Sequence, residues 1–142
     1  MSTDANKELV AHRFAELDRG NMGVLDELFD PGYVLHFPGA EKPLDLERTK
    51  EFYKALYSAL PDLTHTIHEQ VAEGDKVVTR WTARGTHKGE LMGRAATGTE
   101  IVFTGINIYR IANGKLAESH VNWDVITVAH QMGLIDRKSL VD

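Results

Sequence analysis

The chain reads as an α+β protein in which N-terminal helices pack on one face of a strongly curved antiparallel sheet. Between residues 4 and 60 the apolar positions recur at helical spacing, whereas from Leu63 onward they alternate as in strands. In addition, Asn113-Gly114 stands between the last two long alternating runs, the dipeptide that favours a two-residue type I′ hairpin.

Taken in order, Val10, Phe14 and Leu17 set one amphipathic helix over residues 4–18, with Asp4 as its expected N-cap and Gly20 as its stop. A short helix is expected over 22–29, and Pro31-Gly32 then breaks the chain before a short apolar strand, Tyr33-Val-Leu-His-Phe37. Leu46, Thr49, Phe52, Tyr53, Leu56 and Leu60 give a third helix, capped by Asp45 and closed near Pro61. Strands follow at 63–71, 76–86, 100–111 and 115–124, the first with Leu63, His65, Ile67, Glu69 and Val71 on one side. A closing helix over 126–132 ends at Gly133. Residues 1–142 read as one domain, since 142 residues suffice for one ordinary core but not two.

Composition narrows the function. The 21 acidic and 16 basic residues give a net charge of −5 without a basic run, so nucleic acid and anionic membranes are poor partners. There is no cysteine, which excludes disulfides and thiolate chemistry. No segment approaches the roughly 18 apolar residues of a spanning helix, and the polar start lacks a signal core; a cytoplasmic location is expected.

The last strand, Lys115-Leu-Ala-Glu-Ser-His-Val-Asn-Trp-Asp124, would place Glu118, His120, Asn122 and Asp124 on one face. With Asn113-Gly114 as the loop, Ala112 faces Lys115, so Tyr109 pairs with Glu118, Asn107 with His120, Gly105 with Asn122 and Phe103 with Asp124. Such a mixed aromatic and polar surface suits a small-molecule pocket, and the opposite face, with Ile106, Ile108, Val102, Val121 and Trp123, suits packing or a dimer surface. A bulge near the strand end would exchange these roles. Asp124, next to Trp123 and ahead of Val125 and Ile126, is the carboxylate placed for desolvation and acid/base work. Its competing role is the N-cap of the closing helix. His36, in the apolar early strand, is a further candidate for the cavity wall. His65 and His68 stand three apart on a strand and point to opposite faces, so they make no metal pair. No serine lies in a Gly-x-Ser-x-Gly elbow, and Thr97-Gly-Thr99 lacks the pattern of a phosphate loop.

Several stretches, in this order, resemble the SnoaL-like polyketide cyclase family of the nuclear-transport-factor-2-like superfamily. They are the N-terminal helix, Tyr33 to Pro38, Phe52 through Pro61-Asp-Leu63, Arg80-Trp81, Gly85-Thr-His-Lys-Gly-Glu90, Thr97-Gly98, and Asn113-Gly-Lys-Leu-Ala-Glu118 through Trp123-Asp124 to Gln131-Met-Gly133. The resemblance implies a cone-shaped α+β barrel around an apolar cavity, assembled as a homo-oligomer (dimer or tetramer). It also implies intramolecular aldol ring closure on a hydrophobic carbonyl substrate, without metal or organic cofactor. Asp124 matches the family's acid/base residue; Asn107, His120 and Asn122 are the nearby donors, and His36, Phe103 and Tyr109 complete the expected substrate site. The alternative is a non-catalytic small-molecule binding protein using the same cavity.

Overall fold

The computed structural model describes residues 2–136. In chain order these form α1 (Thr3–Asp18), α2 (Val24–Glu27), β1 (Phe29–His36), α3 (Leu46–Ala59), β2 (Thr64–Glu73), β3 (Lys76–Thr86), β4 (Glu100–Ala112), β5 (Lys115–Trp123) and α4 (Val125–Gln131). The α+β class is the expected one. The sheet is mixed rather than wholly antiparallel: its order is β1-β5-β4-β3-β2, and β1 runs parallel to β5. Strands β2 to β5 are joined in sequence and pair antiparallel, but β1 reaches β5 only through the rest of the fold, so no hairpin dictates its direction.

Local chemistry sets the element ends. Ser2, not Asp4, caps α1: its hydroxyl accepts from the Ala5 amide at 3.0 Å, and Asp4 lies in the first turn. Gly20, at φ +86°, takes the left-handed backbone that ends this helix. Asp45 caps α3 through the Arg48 amide at 2.9 Å, as expected. Pro31-Gly32 does not precede β1 but lies inside it, where Asp30, Pro31 and Gly32 are taken up by an irregularity between Phe29 and Val34. Proline is tolerated there because it needs no ladder hydrogen bond at a bulge on an edge strand.

Helix α1 buries Val10, Phe14 and Leu17 against β2 and β3, and α3 lies against β1. Each large side chain so buried contributes about 1.5–3 kcal/mol. The core continues through Leu25, Phe29, Tyr33, Leu35, Leu60, Leu63, Ile101 and Leu116. No helix among the described residues is long and apolar enough to cross a membrane.

Two bulges decide which side chains face inward. In β2 the register shifts between Ile67 and Glu69, so Glu69 and Val71 face solvent instead of sharing the side of His65, and Val71 is 61% exposed. In the last hairpin Asn113 and Gly114 have the positive φ values (52° and 74°) of a type I′ turn, and Ala112 pairs with Lys115 as expected. The ladder then shifts: Ile111 pairs with Leu116, but Arg110 pairs with Glu118, leaving Ala117 as the extra residue. Leu116 and Ala117 are both buried, and two consecutive inward residues require a bulge. Beyond it Tyr109 faces Ser119, Asn107 faces Val121 and Gly105 faces Trp123. The polar row Glu118, His120, Asn122 therefore lies on the outer face with Ile106 and Ile108, while Val121 and Trp123 turn inward.

Candidate functional site

Between α1, α3 and the concave face of the sheet lies a cavity of about 320 Å³. Its wall is aromatic and aliphatic: Phe14, Phe37, Phe52, Trp81, Phe103 and Trp123 are the large contributors. Glu90, Leu91 and Met92, from the connection between β3 and β4, stand at its mouth. Four polar side chains interrupt the apolar lining within: Arg13, Tyr53, His65 and Asn107. An apolar cleft with a few convergent polar groups is the usual form of a small-molecule site.

His65, the second residue of β2, packs between the rings of Phe14 and Trp81, at centroid distances of 5.1 and 5.0 Å. Its Nδ1 lies 2.8 Å from Asp18 Oδ1, and Asp18 also accepts from the His65 amide and the Tyr57 hydroxyl, each at 2.7 Å. Burial favours the neutral imidazole strongly enough to hold its pKa below the ordinary value despite the nearby carboxylate. For Asp18 burial works the other way, but the hydrogen bonds from His65 and Tyr57 outweigh it and keep the carboxyl below its ordinary range. The consistent state is an ionised Asp18 accepting from Nδ1–H, which leaves the Nε2 lone pair of His65 as a proton acceptor. Asp18 is also the last residue of α1, where a negative charge opposes the helix dipole. A residue that breaks a local rule and is tied down by three donors belongs to a site more readily than to a scaffold.

Arg13, one turn earlier on α1, is 3% exposed and borders the same cavity. Its Nη2 donates to the Tyr53 hydroxyl, while its Nε is buried without a partner. The guanidinium lies 4.2 Å from the Phe14 ring centroid and 4.9 Å from that of Tyr53. Such contacts are worth about 0.5–2 kcal/mol each. No carboxylate among the described residues pairs with it.

Of the residues expected at the site, Phe103 and Asn107 line the cavity. Asn107 Oδ1 accepts from Trp81 Nε1 at 2.8 Å and its Nδ2 donates to the Tyr109 hydroxyl at 3.0 Å, so Tyr109 lies fully buried behind Asn107 rather than on the wall. His120, Asn122 and Asp124 are on the other side of the sheet because the Ala117 bulge turns the β5 row outward, and His36 joins them because Tyr33 and Leu35 take the inward positions of β1. There the His36 and His120 rings stack at 4.0 Å, and Glu118 binds His36 Nε2 at 2.8 Å and Arg110 Nε at 3.2 Å. Hydrogen bonding to His36, then to Arg110, holds the Glu118 carboxyl below its ordinary value. Ligand atoms of His36, Glu118 and His120 come within 4.8 Å of one another, a grouping that only the parallel pairing of β1 with β5 creates. Asp124 is exposed and caps α4, accepting from the Thr127 amide at 3.0 Å and the Thr127 hydroxyl at 2.5 Å. With Asn122 it borders a shallow outer depression and not the inner cavity.

Sequence reasoning missed Arg13, Asp18 and the pairing of His65. The signal for His65 was its place on the apolar side of β2 beside Leu63 and Ile67; nothing local joins it to Asp18, 47 residues away.

The model of a family described as SnoaL-like polyketide cyclase matches residues 8–132. Aklanonic acid methyl ester cyclase DauD of Streptomyces sp. (strain C5) is 28% identical over 111 residues, 78% of this chain and 67% of that protein. Among solved structures, wild-type IdmH from Streptomyces antibioticus, a proposed polyketide cyclase, superposes with a TM-score of 0.80 at 32% identity, over 90% of this chain and 98% of that one. AclR from Streptomyces galilaeus reaches a TM-score of 0.88 at 22% identity, over 95% of this chain and all of that one, and at that identity shows the fold alone.

Proposed function

Since this chain belongs to the SnoaL-like polyketide cyclase family, we propose that its inner cavity binds a hydrophobic carbonyl compound and removes a proton alpha to the carbonyl, with His65 as base. The observation that carries this reading is the His65–Asp18 pair on the wall of an otherwise aromatic cavity. Asp18 fixes the tautomer and steadies the imidazolium that forms, and Nε2 takes the proton. The enolate so produced attacks a second carbonyl of the same molecule in an aldol-type closure, or is reprotonated at another position in an isomerisation. Either course needs a base, a donor for the enolate oxygen and exclusion of water. Arg13 and Trp123 line the cavity with Nε and Nε1 donors that are buried without partners, and Glu90, Leu91 and Met92 border it from the β3–β4 connection. DauD, named as the cyclase of a methyl ester, supports the carbonyl substrate class.

The test is solvent deuterium uptake at the activated carbon of a naphthyl β-ketoester, followed by NMR with wild type, His65→Gln, Asp18→Asn and Asp124→Asn. Loss of about 10²–10⁴-fold in His65→Gln, with Asp124→Asn close to wild type, is the expected result. Wild-type exchange in His65→Gln would remove His65 from the mechanism. Loss confined to Asp124→Asn in a folded protein would instead return the acid/base role to Asp124, the role implied by the family resemblance. Saturable binding without any exchange would identify a binding protein rather than an enzyme.

A further inference from the structure

Arg13 holds a cation in the interior, and no carboxylate among the described residues pairs with it. Asp18, the carboxylate that closes α1, is already committed to His65 and Tyr57. Burial keeps the phenols of Tyr33, Tyr57 and Tyr109 above their ordinary pKa, so these neighbours stay neutral. Guanidinium does not deprotonate in proteins, so the group cannot escape by losing its charge. An arginine fork offers five N–H donors. Here one bond is made, from Nη2 to Tyr53, and Nε is buried with none. Buried cations are ordinarily paired, and an unpaired one at a cavity wall marks the place where a ligand brings the missing charge.

We infer that Arg13 is the anion-binding residue of this cavity, and that the ligand is an aromatic or polycyclic molecule carrying an anionic oxygen, either a free carboxylate or an ionised enol or phenol. The inference rests on the inner cavity being the binding site. It deepens the proposed reaction by requiring negative charge on the ligand next to the base. The surrounding wall of Phe14, Phe37, Phe52, Phe103 and Trp123 suits the apolar body of such a molecule. Planar guanidinium is suited to both oxygen sources, since it donates two parallel N–H bonds to a carboxylate and one or two to a β-dicarbonyl enolate.

Equilibrium binding of 2-naphthoate, its methyl ester and 2-naphthol to the full chain separates the outcomes, and it does not depend on whether any proton is transferred. Wild type is expected to bind 2-naphthoate about 10- to 100-fold more tightly than the methyl ester. Arg13→Met should abolish that preference, and Arg13→Lys, which keeps the charge but not the fork, should retain part of it. If the natural anion is an enol or phenol, wild type instead binds 2-naphthol in its ionised form at neutral pH, seen by the naphtholate absorption band, and Arg13→Met binds it neutral. The inference is overturned if wild type neither prefers the acid nor ionises the naphthol. It is equally overturned if the free protein shows a tyrosinate band at neutral pH that Tyr53→Phe removes, because the guanidinium would then already have its counter-charge. Should Arg13→Met fail to fold, Tyr53→Phe frees Nη2 and is expected to keep or increase the preference for the acid.

Discussion

At the scale of single residues, the pairing of His65 with Asp18 makes the protein's stability depend on pH. Burial holds His65 below its ordinary value of 6.5 in the folded state, so as the pH falls the unfolded chain takes up a proton first. The contribution is complete above about pH 6.5 and is lost as the pH falls from there toward the folded value. Asp18 is also held below its ordinary 3.8, so its contribution persists above that pH and disappears only as the pH drops through the lower folded value. Thermal denaturation is therefore expected to show a Tm that declines from pH 7 to pH 5 and falls again in the carboxylate range. His65→Gln should flatten the first decline. An unchanged slope in that variant would show that other groups carry it. Asp124 shows how little residue type settles by itself. An Asp after a polar strand and before a helix suits both a desolvated base and a cap, and the Thr127 hydrogen bonds show that here it serves as a cap.

At the scale of elements, one unpaired residue in β5 redistributes the site. Ala117 shifts the register, and every residue from Glu118 to Trp123 changes face relative to simple alternation from the hairpin. The turn itself was legible because Asn-Gly answers a local steric demand. The bulge answers a demand of packing, the burial of both Leu116 and Ala117, which no dipeptide rule expresses. Strand β4 carries a second such demand at Gly105, where an added Cβ would lie 2.2 Å from the Trp81 ring. Trp81 crosses β4 at this point to reach the cavity and donate to Asn107. Gly105→Ala is accordingly expected to cost about 1–3 kcal/mol in chemical denaturation, as overpacking does, and to weaken ligand binding by displacing the indole. Unchanged stability and affinity would mean that the ring has another resting place.

At the scale of the whole molecule, the cavity is closed by parts far apart in the chain: α1 and α3 on one side, the concave sheet on the other and the β3–β4 connection at the mouth. That connection is pinned at its ends. His87 is fully buried with Nδ1 2.9 Å from Thr97 Oγ1, and the Lys88 and Gly89 amides both donate to the Ala59 carbonyl. Between the pins, Leu91 and Arg94 pair around a tight turn with Met92 and Gly93 at positive φ. Replacing residues 91–94 with Gly-Ser should speed release of a bound naphthyl ligand about 10-fold or more, as expected for uncovering apolar surface, with little loss of Tm. Stopped-flow fluorescence would read this, and an unaltered release rate would show that the ligand leaves elsewhere.

The order of helices and strands, the caps at Asp45 and Asp124, the Asn-Gly turn and the family resemblance could all be read from the chain, because each depends on residues close in sequence or on an ordered series of motifs. Phe103 and Asn107 line the cavity for a like reason: they belong to the β4 alternation, which no bulge interrupts. The direction of β1, the inward face of β5 and the meeting of Arg13, Asp18 and His65 were decided by tertiary structure alone. These depend on contacts between distant segments, and their energetics come from burial: a bulge is accepted to bury two neighbouring side chains, and a charge becomes informative only when the fold has removed water from around it.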